Sequence, residues 1–188
     1  MLLPDYLALF DQILRGGVPV APYDDPEYFN YTKLNESRFK RWLKTMELDS
    51  DLIKLLERIE EKQHWIIITE PWCGDASHVV PFLIRMAEIA PKISYELQLR
   101  DAEPFLIDSY LTNGGKAIPK IISRNESGED VFVWGPRPAG AQALMNRLKQ
   151  EEAPFETIKV ELQNWYNADK GTEIKNELKA ILSDFAKK

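Results

Sequence analysis

Cysteine is almost absent from this chain. Cys73 stands alone among 188 residues, so no disulfide can close within it. An apolar core must hold the fold, and a reducing compartment, the cytoplasm, is the expected setting. Histidine is nearly as scarce. His64 and His78, with one cysteine and no ligand spacing, make no zinc site, and no other metal is expected. Long apolar runs are missing as well. None approaches the ~20 residues of a membrane-spanning helix, so no membrane partner is expected. The opening MLLPDYLALFDQ lacks a basic start and is broken by Pro4 and Asp5, so no signal peptide is expected in it. Basic charge is not in excess either. Twenty-four Lys and Arg against 30 Asp and Glu give a net charge of −6. The basic residues are scattered rather than striped, which argues against a nucleic-acid partner. There is no P-loop, no G-x-G-x-x-G and no G-x-S-x-G, and no cofactor is expected. Three N-x-S/T matches, at Asn30, Asn35 and Asn125, are read as chance occurrences of a short motif.

What is present is the composition of a globular protein, 44% hydrophobic and 29% charged. About 60 residues of mostly helical sequence come first. Tyr6, Leu7, Phe10, Ile13 and Leu14 form one stripe that Gly16-Gly17 ends. VPVAPYDDPEY reads as an extended loop. A second helix is expected from Asn35 or Ser37, with Phe39, Trp42, Leu43 and Met46 on its apolar face. Asp49, Ser50 and Asp51 offer N-caps for a third, carrying Leu52, Leu55, Leu56 and Ile59.

From His64 the pattern changes. HWIIIT is a short, β-branched apolar run, the mark of a strand buried on both faces. EPWCGDAS turns, and SHVVPFLIRMAEIAP continues as a helix. KISYELQLRD is a second strand, EPFLIDSYLTNGG a helix ended by Gly114-Gly115, and AIPKIISRN a third strand. A turn at NESGE joins it as a hairpin to DVFVWG, and PRPAGAQALMNRLKQ is a helix opening on proline. The order is β-α-β-α-β-β-α, an α/β arrangement with a mixed sheet. Two more helices follow, from about Phe155 and from about Thr172. They either pack on the sheet and the N-terminal helices or leave a face for a homodimer. The expected division is a helical extension over 1–62, a core over 63–150 and a helical extension over 151–188.

The chemistry is expected in TEPWCGDASH. A cysteine between a buried strand and a helix meets unpaired N–H groups and the helix dipole, and both favour the thiolate. Asp75 works against it, because a nearby carboxylate disfavours a second negative charge. Ser77, four residues on, is placed to donate a hydrogen bond to the sulfur, and Trp72 to shield one side of it. The plainer readings are a small buried apolar cysteine, a core tryptophan, a solvated helix-start Asp75 and ordinary polar histidines. Arg137, in the loop after the fourth strand, can approach from the other side.

Trp72-Cys73-Gly74-Asp75-Ala76 after a buried strand resembles the W-C-G-x-C site of the thioredoxin superfamily. Pro81, eight residues past the cysteine, matches the proline that kinks the family's active-site helix. Ile118-Pro119 is similar to the family's cis-proline pair, which faces the cysteine and presents backbone to substrate. Gly135 falls where the family commonly has glycine. The resemblance covers roughly residues 60–150 and implies a thioredoxin-like fold with extra helices at both ends. It also implies a site of Cys73 as nucleophile with Trp72, Gly74, Asp75, Ser77, Ile118 and Pro119 binding substrate. Three departures stand against it. Ala76 replaces the second cysteine, Ile67 the buried acid of the first strand, and Lys120 the residue after the proline.

Two functions follow. In one, the protein is a monothiol that exchanges with protein or low-molecular-weight thiols and disulfides, an outside thiol resolving the Cys73 adduct. In the other, it is a redox-inactive binding or adaptor module. The helix-terminus environment of the sulfur favours the first; the lost cysteine and acid favour the second.

Overall fold

The computed structural model describes residues 1–186. Three helices come first: α1 (Leu3–Arg15), α2 (Pro26–Thr45) and α3 (Ser50–Glu57). Then follow β1 (Gln63–Thr69), α4 (Gly74–Ile89), β2 (Ile93–Leu99), β3 (Lys120–Arg124), β4 (Asp130–Trp134), α5 (Ala139–Gln150), α6 (Phe155–Asp169) and α7 (Thr172–Leu182). The four strands lie in the order β2-β1-β3-β4. β1 runs parallel to β2 and antiparallel to β3, and β3 and β4 form the hairpin.

β1 is the centre of the sheet, and its sequence explains why. Trp65, Ile66, Ile67 and Ile68 are all buried, so both faces of this strand are covered. Trp65 Nε1 and Ser123 Oγ both donate to Gln63 Oε1, satisfying three polar groups inside the core. α4 is buried along most of its length, with Val80, Leu83 and Met86 fully so. The terminal helices are what bury it: α2, α3 and α7 all pack against α4. α1 joins through Tyr6, Phe10 and Phe39, whose ring centroids lie 5.2–6.0 Å apart. Each such buried ring contributes roughly 1.5–3 kcal/mol.

Two expected elements differ. α2 starts at Pro26, about ten residues before the position read from the sequence. Asp25 Oδ1 accepts from Glu27 N and Tyr28 N, and Pro26 occupies the first turn, where its missing N–H costs nothing. The segment after β2 is not an α-helix. It holds a single 3₁₀ turn, Leu106–Ser109, entered through Phe105 in the left-handed region at φ 54°. Its apolar residues have no second helical turn to share, and β3 is reached by an irregular loop. β3 enters antiparallel to β1.

Candidate functional site

Cys73 is the N-cap of α4, at the end of the central strand. Its Sγ accepts from Ala76 N at 3.4 Å, and the thiol donates to Ile118 O at 3.4 Å. Only a protonated sulfur can make the second bond. The residue is 7% exposed. Burial, followed by the Asp75 charge, pushes the thiol up to about 12. Arg137 and the first-turn N–H groups act in the opposite direction and are outweighed. The first-turn N–H groups do pull toward the thiolate, but desolvation exceeds them here. Ser77 does not reach the sulfur either, because its hydroxyl donates to Gly74 O at 2.7 Å.

Asp75 is not a solvated helix-start charge. Arg137 Nη2 lies 2.5 Å from Oδ2, and Tyr166 of α6 donates to Oδ1 at 2.8 Å. Both ionic side chains are at most 15% exposed. Gly74 is required by α2: a Cβ there would lie 2.5 Å from the Tyr31 hydroxyl. Asn35 of α2 also donates to Pro71 O at 3.1 Å and fixes the turn that presents the cysteine. Trp72 meets Tyr28 edge-on at 5.9 Å, with the Arg100 guanidinium 4.5 Å from its ring centre.

Across from the cysteine, the Ile118–Pro119 peptide bond is cis and both residues are buried. Gly135, at φ 119°, comes so close that a Cβ would meet Pro119 O at 2.4 Å. Lys120, also buried, donates to Thr112 Oγ1 at 2.6 Å, and burial lowers its pKa.

A cavity of about 550 Å³ opens over this junction. Trp72, Cys73, Gly74, Asp75 and Ile118 line it, whereas Ser77 and Pro119 do not. Loops supply Arg100, Lys116, Ala117 and Arg137, and much of the remaining wall comes from helices outside the motif. α2 supplies Tyr28, Tyr31 and Arg38; α6 supplies Phe155, Lys159 and Tyr166. Lys159 Nζ bridges to Glu27 of α2 at 3.1 Å, tying the two walls together.

His78 also lines the cavity and is no ordinary surface histidine. It accepts from Trp42 Nε1 at 2.8 Å, which leaves Nε2–H to donate to Gln163 Oε1 at 3.1 Å. Its ring stacks on Tyr166 at 4.5 Å. Burial holds it neutral, with the pKa down at about 3. Glu70, three residues before the cysteine, is 5% exposed and raised by burial to about 7; Asp101 N donates to it at 3.0 Å. It lies within the stretch expected to carry the chemistry, but its burial depends on packing that the local sequence does not report. Among the described residues no group of three His, Cys, Asp or Glu is arranged to hold a metal ion.

Comparison with known proteins agrees with this fold. A family model described as thioredoxin matches residues 22–153, which takes in α2 and α3 as well as the sheet. A solved protein of unknown function from Pseudomonas aeruginosa, PA1234, is similar at TM-score 0.59 and 19% identity, over 82% of this chain and 86% of that one. An HIV epitope-scaffold is similar at TM-score 0.54 and 21% identity, over 96% of this chain and 99% of that one. At these identities the two structures speak for the fold alone. No curated protein matches significantly. Among the described residues no helix is long and apolar enough to cross a membrane. With the fold, the strand–helix cysteine and the family match over most of the chain in agreement, the protein belongs to the thioredoxin family.

Proposed function

We propose that this protein is a binding module of the thioredoxin family in which the groove around Cys73 has become a ligand cavity and the cysteine no longer exchanges disulfides. The observation that carries this reading is the thiol donating to Ile118 O from a buried position beside Asp75. A sulfur held protonated is a poor nucleophile. With Ala76 in place of a second cysteine, any adduct would also need an outside thiol.

A second reading, monothiol exchange, is favoured by one contact, the Ala76 N–H that points at Sγ. There the Cys73 thiolate would attack a disulfide, form a mixed disulfide and release one thiolate; an external thiol would then free Cys73. Both readings assume a reducing compartment such as the cytoplasm. The test is the rate of iodoacetamide alkylation of Cys73 across pH, against glutathione. On the binding reading the folded protein reacts far more slowly than glutathione at pH 7, and its apparent pKa lies well above the ordinary value of about 8.5. A value well below that figure, with exchange abolished in Cys73→Ser, would overturn the binding reading and establish the second.

A further inference from the structure

The charges and rings around the cavity identify a ligand class, an inference that rests on the binding reading above. We infer that the cavity takes a small organic anion with a flat apolar body, its acidic group held by Arg38. The chain as a whole is acidic, at −6. The cavity is lined the other way, by Arg38, Arg100, Lys116, Arg137 and Lys159 against Glu27 and Asp75. Carboxylates offset most of this positive charge, so what is left for an anion is the cation among them without such a partner.

The cations are not equivalent. Arg137 is paired with Asp75, Lys159 with Glu27 and Glu156, Lys116 with Asp108, and Arg100 with Asp101. Arg38 differs. Among the described residues it has no carboxylate partner; it donates to Asn35 Oδ1 at 2.9 Å and lies 5.2 Å over the Tyr31 ring. A guanidinium fixed by an amide and a ring keeps N–H donors in a rigid fork for a planar acid. Arg137 stands on the same lining, but Asp75 and Gln142 already take its terminal N–H groups.

The body of the ligand is set by the walls. Trp72, Tyr31 and Tyr166 line the interior, and Tyr28 and Phe155 stand 43% and 65% exposed at the rim. Exposed rings beside an apolar cavity are a surface that a flat ligand covers. Size limits it further. About 550 Å³ suits a small molecule.

The test compares two probes with the same rings. 8-Anilinonaphthalene-1-sulfonate carries an anion, and N-phenyl-1-naphthylamine is neutral. Fluorescence titration of the folded protein, with folding checked by circular dichroism, should show one sulfonate bound at least about tenfold tighter than the neutral probe, as expected for a charge-assisted fork. Arg38→Met should remove that preference and leave the neutral probe's affinity unchanged, and Arg38→Lys should restore part of it. Ala117→Trp, which fills the cavity from its loop wall, should abolish binding of both. Equal affinities that both vanish in Ala117→Trp would overturn the anion assignment and leave the binding reading standing. Binding of both probes untouched by Ala117→Trp would overturn the cavity itself.

Discussion

Two helices of this protein begin at neighbouring ends of the same sheet, and they are finished differently. α4 follows β1 and is capped by a sulfur, a weak acceptor at 3.4 Å. α5 follows β4, begins after Pro138 and has no side-chain cap of its own. Its first N–H groups are met from α7: Ala139 N donates to Glu177 and Gly140 N to Glu173, both at 2.7 Å. Each helix has a glycine in its first turn that makes room for its visitor. A Cβ on Gly140 would strike the Glu173 carboxylate, as one on Gly74 would strike Tyr31. One junction is sealed by two carboxylate caps. The other keeps a soft cap, an inward-facing ion pair and an open volume.

Breaking the open junction should cost most. Asp75→Ala leaves Arg137 charged and largely buried and strips Tyr166 of its acceptor, so a loss of about 3 kcal/mol is expected in urea unfolding. A loss below about 1 kcal/mol would mean that the pair is solvated and the contrast overstated. The sealed junction should lose less. Glu177→Ala frees Ala139 N and Trp134 Nε1, for about 2 kcal/mol, and should shift Trp134 fluorescence.

The smallest effect is a slope with pH. His78 has a folded pKa of about 3 against an ordinary 6.5. The unfolded chain therefore binds a proton in that window that the folded chain refuses, and stability is lost as pH falls from 6.5 toward 3. Glu70 acts with the opposite sign. Its folded pKa of about 7 exceeds 4.5, so its contribution is present below pH 4.5 and lost as pH rises through 7. His78→Gln should remove a slope of up to about 1 kcal/mol per pH unit between pH 4 and 6. An unchanged slope would show that His78 protonates without unfolding anything.

Much of the fold was legible in the residues. HWIIIT, the β3–β4 turn and the buried helix after Cys73 are local patterns, and the mixed sheet follows from them. α2 was misplaced because the prolines of VPVAPYDDPEY read as loop, although Asp25-Pro26-Glu27 is itself a helix start. The segment around Leu106 misled because clustered apolar residues without an opposite polar face fit a buried loop as well as a helix. The site was half legible. The motif pointed to Trp72, Cys73, Gly74 and Asp75, but the sulfur's ionisation depends on burial that no local pattern reports. Tyr31, Arg38, Lys159 and Tyr166 reach the cavity only through helix packing across long stretches of chain.

That distance along the chain has a consequence for the order of assembly. Asp75 is satisfied by Arg137 and by Tyr166, the latter 91 residues away. Until the last third of the chain docks, the start of α4 holds a carboxylate with neither partner, and the cavity has one wall missing. The sheet can form from nearer pairings, but the cavity exists only in the finished molecule. On the binding reading, a ligand in the cavity would draw α6 onto the start of α4 and so latch the C-terminal helices.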